Sequence, residues 1–313
     1  MKKKIAMIVC ISMLSAGCST FYQGQEVDYS KWAATEPGES VMATLPPETT
    51  PDETSSLTEV TTTETTPEVT VPYISDEELM CLDNTEIGYG QGVQFDENGV
   101  PYGATDFNSK YSKYSSYAVA ETDVKEIYLT FDLGYENGYT DKILDTLKEH
   151  DVKAVFFVTG GYCKYADPAI IQRIIDEGHV LGNHGQNHKS LSDLLEVSVA
   201  DAEAELTVLQ DYIRETYDYE MVYMRPPEGV YSERSLALAQ RMGYKTLLWS
   251  FAYADWDTAN QPDQFEAYQK ITAHPHCGEI MLLHAVSSTN TAILGDVIEE
   301  YEAKGYTFTT PSL

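Results

Sequence analysis

The 313-residue sequence is short of positive charge, of cysteine and of long apolar runs. Lysine and arginine number 20 against 50 aspartates and glutamates, for a formal charge of −30. A protein that grips a phosphate backbone needs a basic face to displace counterions, so nucleic acid is excluded as a partner. Neutral, cationic or metal-bound partners remain. The five cysteines include no C-x-x-C spacing, which argues against a redox pair or a thiolate zinc site. Cys81, Cys163 and Cys277 read as isolated thiols, and no disulfide can be assigned. No apolar stretch reaches the ~20 residues of a bilayer-spanning helix. No Gly-x-Gly-x-x-Gly follows the first strand pattern, which removes the main support for a dinucleotide fold.

What the N-terminus does hold reads as an address. Lys2, Lys3 and Lys4 precede an apolar run from Ile5 to Ala16, of signal-peptide length. The run ends in Leu14-Ser15-Ala16-Gly17-Cys18, which resembles a bacterial lipobox with Cys18 as the acylated residue. Ordinary signal cleavage with an incidental Cys18 is the alternative, and either reading makes the protein exported. Residues 19–72 form an acidic Thr/Pro-rich stalk. Between Thr44 and Thr70 stand eleven Thr, four Pro and five Glu, with too little apolar surface to offset chain entropy. Residues 73–125 show no sustained period and are expected to be an irregular lead-in.

From residue 126 to 313 the pattern is regular. Apolar runs at 127–131, 152–159, 179–182, 221–224, 245–253, 279–284 and 306–310 predict strands. Amphipathic segments near 140–149, 168–177, 198–216, 233–242, 264–273 and 290–303 predict helices, several closed by glycine. This alternation implies βα units and a parallel sheet. With ~250 residues typical of eight full units, the fold class is an α/β distorted or incomplete (β/α) barrel of about seven parallel strands.

Catalytic groups in such a fold gather beyond the C-terminal strand ends. Asp132 ends the first run, His184 and His188 follow the third, and Arg225 ends the fourth. Asp255 and Trp256 end the fifth, and His284 ends the sixth. Each has a bland reading: an Asp as turn former, a His-x-x-x-His by chance, an Arg paired to a neighbouring carboxylate, a packed Trp. Five strand ends converging on one mouth outweigh those readings. His274 and His276 fall at the other end of the sheet and are not expected in the site.

The order and local sequence of these five motifs resemble the polysaccharide deacetylases of carbohydrate esterase family 4, with the NodB-homology domain, over about residues 125–311. Within that family the sequence is most similar to the delta-lactam-biosynthetic de-N-acetylases that act on peptidoglycan muramic acid. Tyr128-Leu129-Thr130-Phe131-Asp132, Gly134-Tyr135-Glu136-Asn137-Gly138-Tyr139-Thr140, Arg225-Pro226-Pro227 and Trp249 through Trp256 carry the likeness. The resemblance implies a divalent metal, usually zinc, on His184 and His188. It makes Asp132 the general base and His284 the general acid, oriented by Asp255, with Arg225 keeping Asp132 ionised. Trp256, Tyr135 and Pro227 would bind the sugar. Peptidoglycan glycan strands and, through the lipid anchor, the membrane are the implied partners of a monomer.

Two residues depart from the family pattern. Leu133 stands where the family usually has a metal-binding Asp, and Gly185 where Ser or Thr is usual between the histidines. Glu136 or Asn183 are the candidates to replace the missing donor. The alternatives to muramic acid deacetylation are an N-acetylglucosamine or chitin-type deacetylase, and a glycan-binding pseudoenzyme without the metal.

Overall fold

The computed structural model describes residues 74–313; the leader, Cys18 and the stalk lie outside the described residues. In chain order come α1 (Asp76–Met80), β1 (Ile87–Gly88), α2 (Tyr102–Tyr111), β2 (Ser116–Tyr117) and β3 (Glu126–Leu133). Next are α3 (Thr140–Glu149), β4 (Val155–Val158), α4 (Gly160–Tyr165), α5 (Pro168–Asp176), β5 (Val180–Asn183) and α6 (Leu191–Val197). Then follow α7 (Val199–Tyr217), β6 (Tyr223–Met224), β7 (Val230–Tyr231), α8 (Glu233–Arg241) and β8 (Lys245–Leu247). The chain finishes with α9 (Gln264–Ile271), β9 (Glu279–His284), α10 (Ser288–Ala303) and β10 (Thr307–Phe308). All seven predicted strands and all six predicted helices are present, but the fifth strand stops at Leu247 instead of running to 253, so Asp255 and Trp256 are carried by a loop and not by its end. The helices begin where their caps dictate: the side chains of Asp167, Ser232, Asp263 and Ser287 each accept a first-turn N–H.

One parallel sheet runs β10–β3–β4–β5–β6–β8–β2, and β9 lies on the other flank of β3. The sheet curls so that its two flanks nearly meet. The seam is closed by a parallel bridge between Phe251 and Met281, and by Ala120 N–H donating to the Gly278 carbonyl at 2.9 Å. The result is the distorted α/β barrel expected from the alternation. Strand β3 pairs with β4, β9 and β10 and is almost wholly buried because both faces are covered. Ile127, Leu129, Phe131 and Leu133 belong to the core shared with the helices. Tyr128 belongs to the inner cluster with Val155, Phe157, Leu247 and Ile280. Period-2 alternation therefore places Thr130 and Asp132 inside the barrel.

The lead-in is more ordered than its composition suggests. Two-residue β2 pairs in parallel with β8, Ser116 opposite Thr246, and so supplies an eighth parallel strand. Upstream, β1 pairs antiparallel with β7. Such short strands carry no period for sequence reasoning to find; their partners hold them. Among the described residues no helix is long and apolar enough to cross a membrane.

Candidate active site

Asp132 is the last inward residue of β3, and its neighbour in the β9 register is His284. Arg225, fully buried just past β6, donates to Asp132 Oδ1 at 2.8 Å. Three more of its N–H groups go to Thr130 Oγ1 at 2.9 Å, Leu247 O at 2.9 Å and Leu248 O at 3.1 Å. Four fixed acceptors lock the guanidinium beneath the mouth. A buried charge tolerates such a place only when fully paired. Burial pushes the Asp132 carboxyl up, but Arg225 and the neighbouring histidines outweigh it and hold it below the usual carboxylate value.

His184 Nδ1 donates to the Arg225 carbonyl at 2.9 Å, which leaves Nε2 as the bare nitrogen. That nitrogen faces Asp132 Oδ2 at 3.5 Å. Burial keeps the His184 ring below its ordinary value despite the carboxylate. Two acceptors facing each other without a proton are what a cation or a water would bridge. His188 stands at the rim, its ring edge-on to His184 at 4.8 Å between centroids, and desolvation together with His184 pushes it down as well. Both rings therefore present neutral nitrogens, the form a metal requires.

The turn carrying these rings is held by Glu205 of α7. Its carboxylate accepts from the backbone N–H of Asn187 at 2.7 Å and of Lys189 at 3.2 Å, and from Asn187 Nδ2 at 3.0 Å. This clamp stabilises His188 in the left-handed region at φ +56°. It also accounts for Gly185: a Cβ there would lie 2.8 Å from Glu205 Oε1, at a φ of +83°. Glu205 occupies the space a serine or threonine would need.

Among the described residues, neither Leu133 nor the two expected substitutes adds a donor to the two imidazoles. Leu133 is fully buried in the helix-facing core. Glu136 is committed to the turn after β3, where it accepts from the N–H groups of Gly138 and Tyr139 and the hydroxyls of Thr140 and Tyr162. Asn183 donates to the Leu206 carbonyl at 2.9 Å and accepts from Gly185 N–H at 2.9 Å. Neither replaces the missing aspartate. Among the described residues no cluster of three or more His, Cys, Asp or Glu could hold a metal. The nitrogen pair fits a divalent cation, and its other positions would fall to water or substrate.

Across the mouth, Asp255 is fully buried and binds His284 twice, through Nδ1 at 2.7 Å and through the backbone N–H at 2.8 Å. Burial pulls the His284 imidazole down, but Asp255 outweighs it and the ring is held above its ordinary value. Gln261, which sequence reasoning missed, donates to the Asp255 carbonyl at 2.8 Å and accepts from Ser287 Oγ at 2.6 Å. Gln91 was missed too: it accepts from the Trp249 indole at 2.8 Å and donates to the Ala252 carbonyl at 3.0 Å. Beside it, Tyr89 Oη donates to the Trp249 carbonyl at 2.7 Å. The lead-in thus straps the segment that runs up to Asp255. Neither glutamine belongs to a strand end, so no motif pointed to them.

The expected sugar-binding residues separate. Trp256 and Tyr135 are exposed at 40% and 48%, leaving ring surface for a ligand. Pro227 is buried in the turn after Arg225 and offers no such surface. His276 lies at the opposite end of β9, bonded to Ser250 Oγ at 2.7 Å, and takes no part in the site.

Comparison with known proteins bears on the fold and the family. The polysaccharide deacetylase family model matches residues 120–247. The chain is 42% identical over 209 residues to the peptidoglycan-N-acetylmuramic acid deacetylase PdaA of Bacillus subtilis, covering 66% of this chain and 78% of that one. It is 43% identical over 219 residues to an uncharacterised 30.6 kDa protein of Geobacillus stearothermophilus, covering 69% and 81%. The solved structure of Bacillus subtilis PdaA, a family 4 carbohydrate esterase, superposes with a TM-score of 0.68 at 38% identity, over 73% of this chain and 96% of that one.

Proposed function

The chain belongs to the polysaccharide deacetylase family, and from that premise we propose that it removes the acetyl group from N-acetylmuramic acid in peptidoglycan. One observation carries the reading. On neighbouring strands in register, a carboxylate held below its ordinary value faces an imidazole held above its own. Two titratable groups pushed apart in this way are the mark of an acid–base pair.

Asp132 Oδ2, the oxygen that Arg225 leaves free, accepts a proton from water as the water attacks the acetamide carbon. His284 Nε2 then protonates the departing amine, since Nδ1 is occupied by Asp255. Acetate and a free amino sugar result. A divalent cation, with zinc the first choice, would sit on His184 and His188 and polarise the acetamide carbonyl. Trp256 and Tyr135 flank the mouth with ring faces suited to a sugar. Export, with Cys18 acylated, would set the domain beside its substrate; intact-mass measurement of the membrane fraction, with Cys18→Ser as control, tests the anchor. Retention of Cys18→Ser in the membrane would overturn it.

Acetate release by the full chain from glycan strands stripped of stem peptides tests the activity. Release from the muramic acid residues, stopped by a chelator and restored by zinc, is the expected result. Release only from N-acetylglucosamine would move the substrate assignment. Glycan binding without release would favour the pseudoenzyme reading, for which Leu133 is the observation.

A further inference from the structure

We propose that Asn290 is a positioning residue for the His284–Asp255 pair, and that Tyr253 in turn fixes Asn290. The inference rests on the deacetylase reading for its consequence, but its geometry stands apart from turnover. Asn290 lies in the first turn of α10 and is 1% exposed. Its backbone N–H is spent on the helix cap, donating to Ser287 Oγ at 3.1 Å. Its side chain turns back toward the mouth, where Nδ2 donates to Asp255 Oδ2 and Oδ1 accepts from Tyr253 Oη.

The orientation of that amide follows from chemistry. A carboxylate only accepts, so the group facing Asp255 must be the NH2. The amide oxygen is then left for Tyr253, whose hydroxyl must donate. Burial and the nearby Asp255 raise the Tyr253 phenol above its ordinary value, which keeps that proton in place. The chain Tyr253–Asn290–Asp255–His284 therefore has one consistent set of donors.

Each oxygen of Asp255 has a distinct duty as a result. Oδ2 takes the Asn290 amide and the His284 backbone N–H, which stops rotation about the carboxylate axis. Oδ1 is left for His284 Nδ1 alone. That arrangement holds the imidazole as the Nδ1–H tautomer and keeps Nε2 pointed at the mouth. The other charged or titratable groups that act on His284 are Asp132, Arg225, His184 and His188, and none of them touches Asp255 Oδ2. Among the described residues, Asn290 is the side chain that bonds Asp255 Oδ2.

The test uses imidazole 15N NMR of the full chain, with His284 assigned through a His284→Gln variant. Above the His284 titration midpoint the wild type should show the Nδ1–H tautomer alone. Asn290→Ala should introduce the Nε2–H tautomer and, where acetate release is measured, lower kcat about 10- to 100-fold with little change in KM, the range of one hydrogen bond to a charged group. Tyr253→Phe, which removes a single oxygen and should fold normally, should give the same signature in smaller measure. A wild-type tautomer in both variants, with only a lower melting temperature in Asn290→Ala, would overturn the proposal. Because the tautomer is read without substrate, failure of deacetylation would leave that measurement, and this inference, standing.

Discussion

Two carboxylate–imidazole pairs face each other across the mouth of the barrel, and they differ in where the imidazole spends its Nδ1 proton. In the first, His184 gives it to the Arg225 carbonyl, and Asp132 is claimed by the Arg225 guanidinium. The ring is left neutral and 3.5 Å from the carboxylate. In the second, His284 gives it to Asp255 itself at 2.7 Å, with no guanidinium bonded to that carboxylate, and the ring is held above its ordinary value. The same two residue types thus yield a base beside neutral ligands and an acid. The placement of one arginine decides which is which. A third pair at the far end of β9 completes the series. His276 and Glu279 lie 3.7 Å apart and both are buried. Burial pushes the Glu279 carboxyl up to about 8 and the His276 ring down.

The largest effect should come from removing the base. Asp132→Asn keeps a side-chain oxygen for Arg225 but cannot take a proton, and acetate release should fall about 10²- to 10⁴-fold. Retained kcat would break the assignment. Wild-type activity should follow a bell in pH. It should be lost at low pH only below the ordinary carboxylate range, where lowered Asp132 protonates, and at high pH only above the ordinary imidazole value, where raised His284 deprotonates. Asp255→Asn removes the charge that holds His284 up, so the basic limb should drop by about 1–3 pH units while the acidic limb stays. An unmoved basic limb would mean that the proton donor lies elsewhere.

The smallest effect on turnover should come from the third pair, which acts on stability instead. Tyr301 Oη lies 2.9 Å from the Ile271 carbonyl and 3.1 Å from Glu279 Oε1. One phenol proton cannot serve both acceptors, so a carboxyl that keeps its own proton completes the set. With its folded value raised to about 8 over the ordinary 4.5, Glu279 contributes stability that is fully present below about 4.5 and is lost as the pH rises through 8. Glu279→Gln supplies the same hydrogen without titrating. It should match the wild type in urea unfolding near pH 4 and exceed it by a few kcal/mol at pH 9. A constant gap between the two proteins would show that Glu279 is ionised throughout.

Much of this was legible in the sequence, for a physical reason. Strands β3 to β6, β8, β9 and β10 and helices α3, α5 and α7 to α10 carry hydrophobic periods, because each buries a face. The strand-end residues Asp132, His184, Arg225 and His284 follow from that register, whereas Asp255 sits in the loop beyond β8 rather than at a strand end. What escaped has no period. Ser116–Tyr117 is a strand only because β8 offers it an edge, and Gln91, Gln261, Glu205 and Asn290 reach the site from loops and helices. Leu133 was visible as a missing ligand, but only the alternation of β3 shows that it belongs to the helix-facing core together with Phe131. The loss of a serine or threonine at Gly185 also makes sense only once Glu205 is seen in its place.

The strap formed by the lead-in has a consequence for the order of folding. Tyr89 and Gln91 bond to residues 160 and 161 positions later, and Ser116 pairs with Thr246. Segments made first therefore find their partners last, after β8 exists. Long loops of this kind are slow to close. During synthesis the N-terminal layer must wait as open chain while β3 to β6 assemble beneath it. Pulse-labelled hydrogen exchange should find the Tyr89 amide, which donates to the Gly229 carbonyl, protected after those of β3 and β4. The rim around Asp255 would then be the last part of the barrel to become rigid, so that partly folded chains lack an organised proton donor.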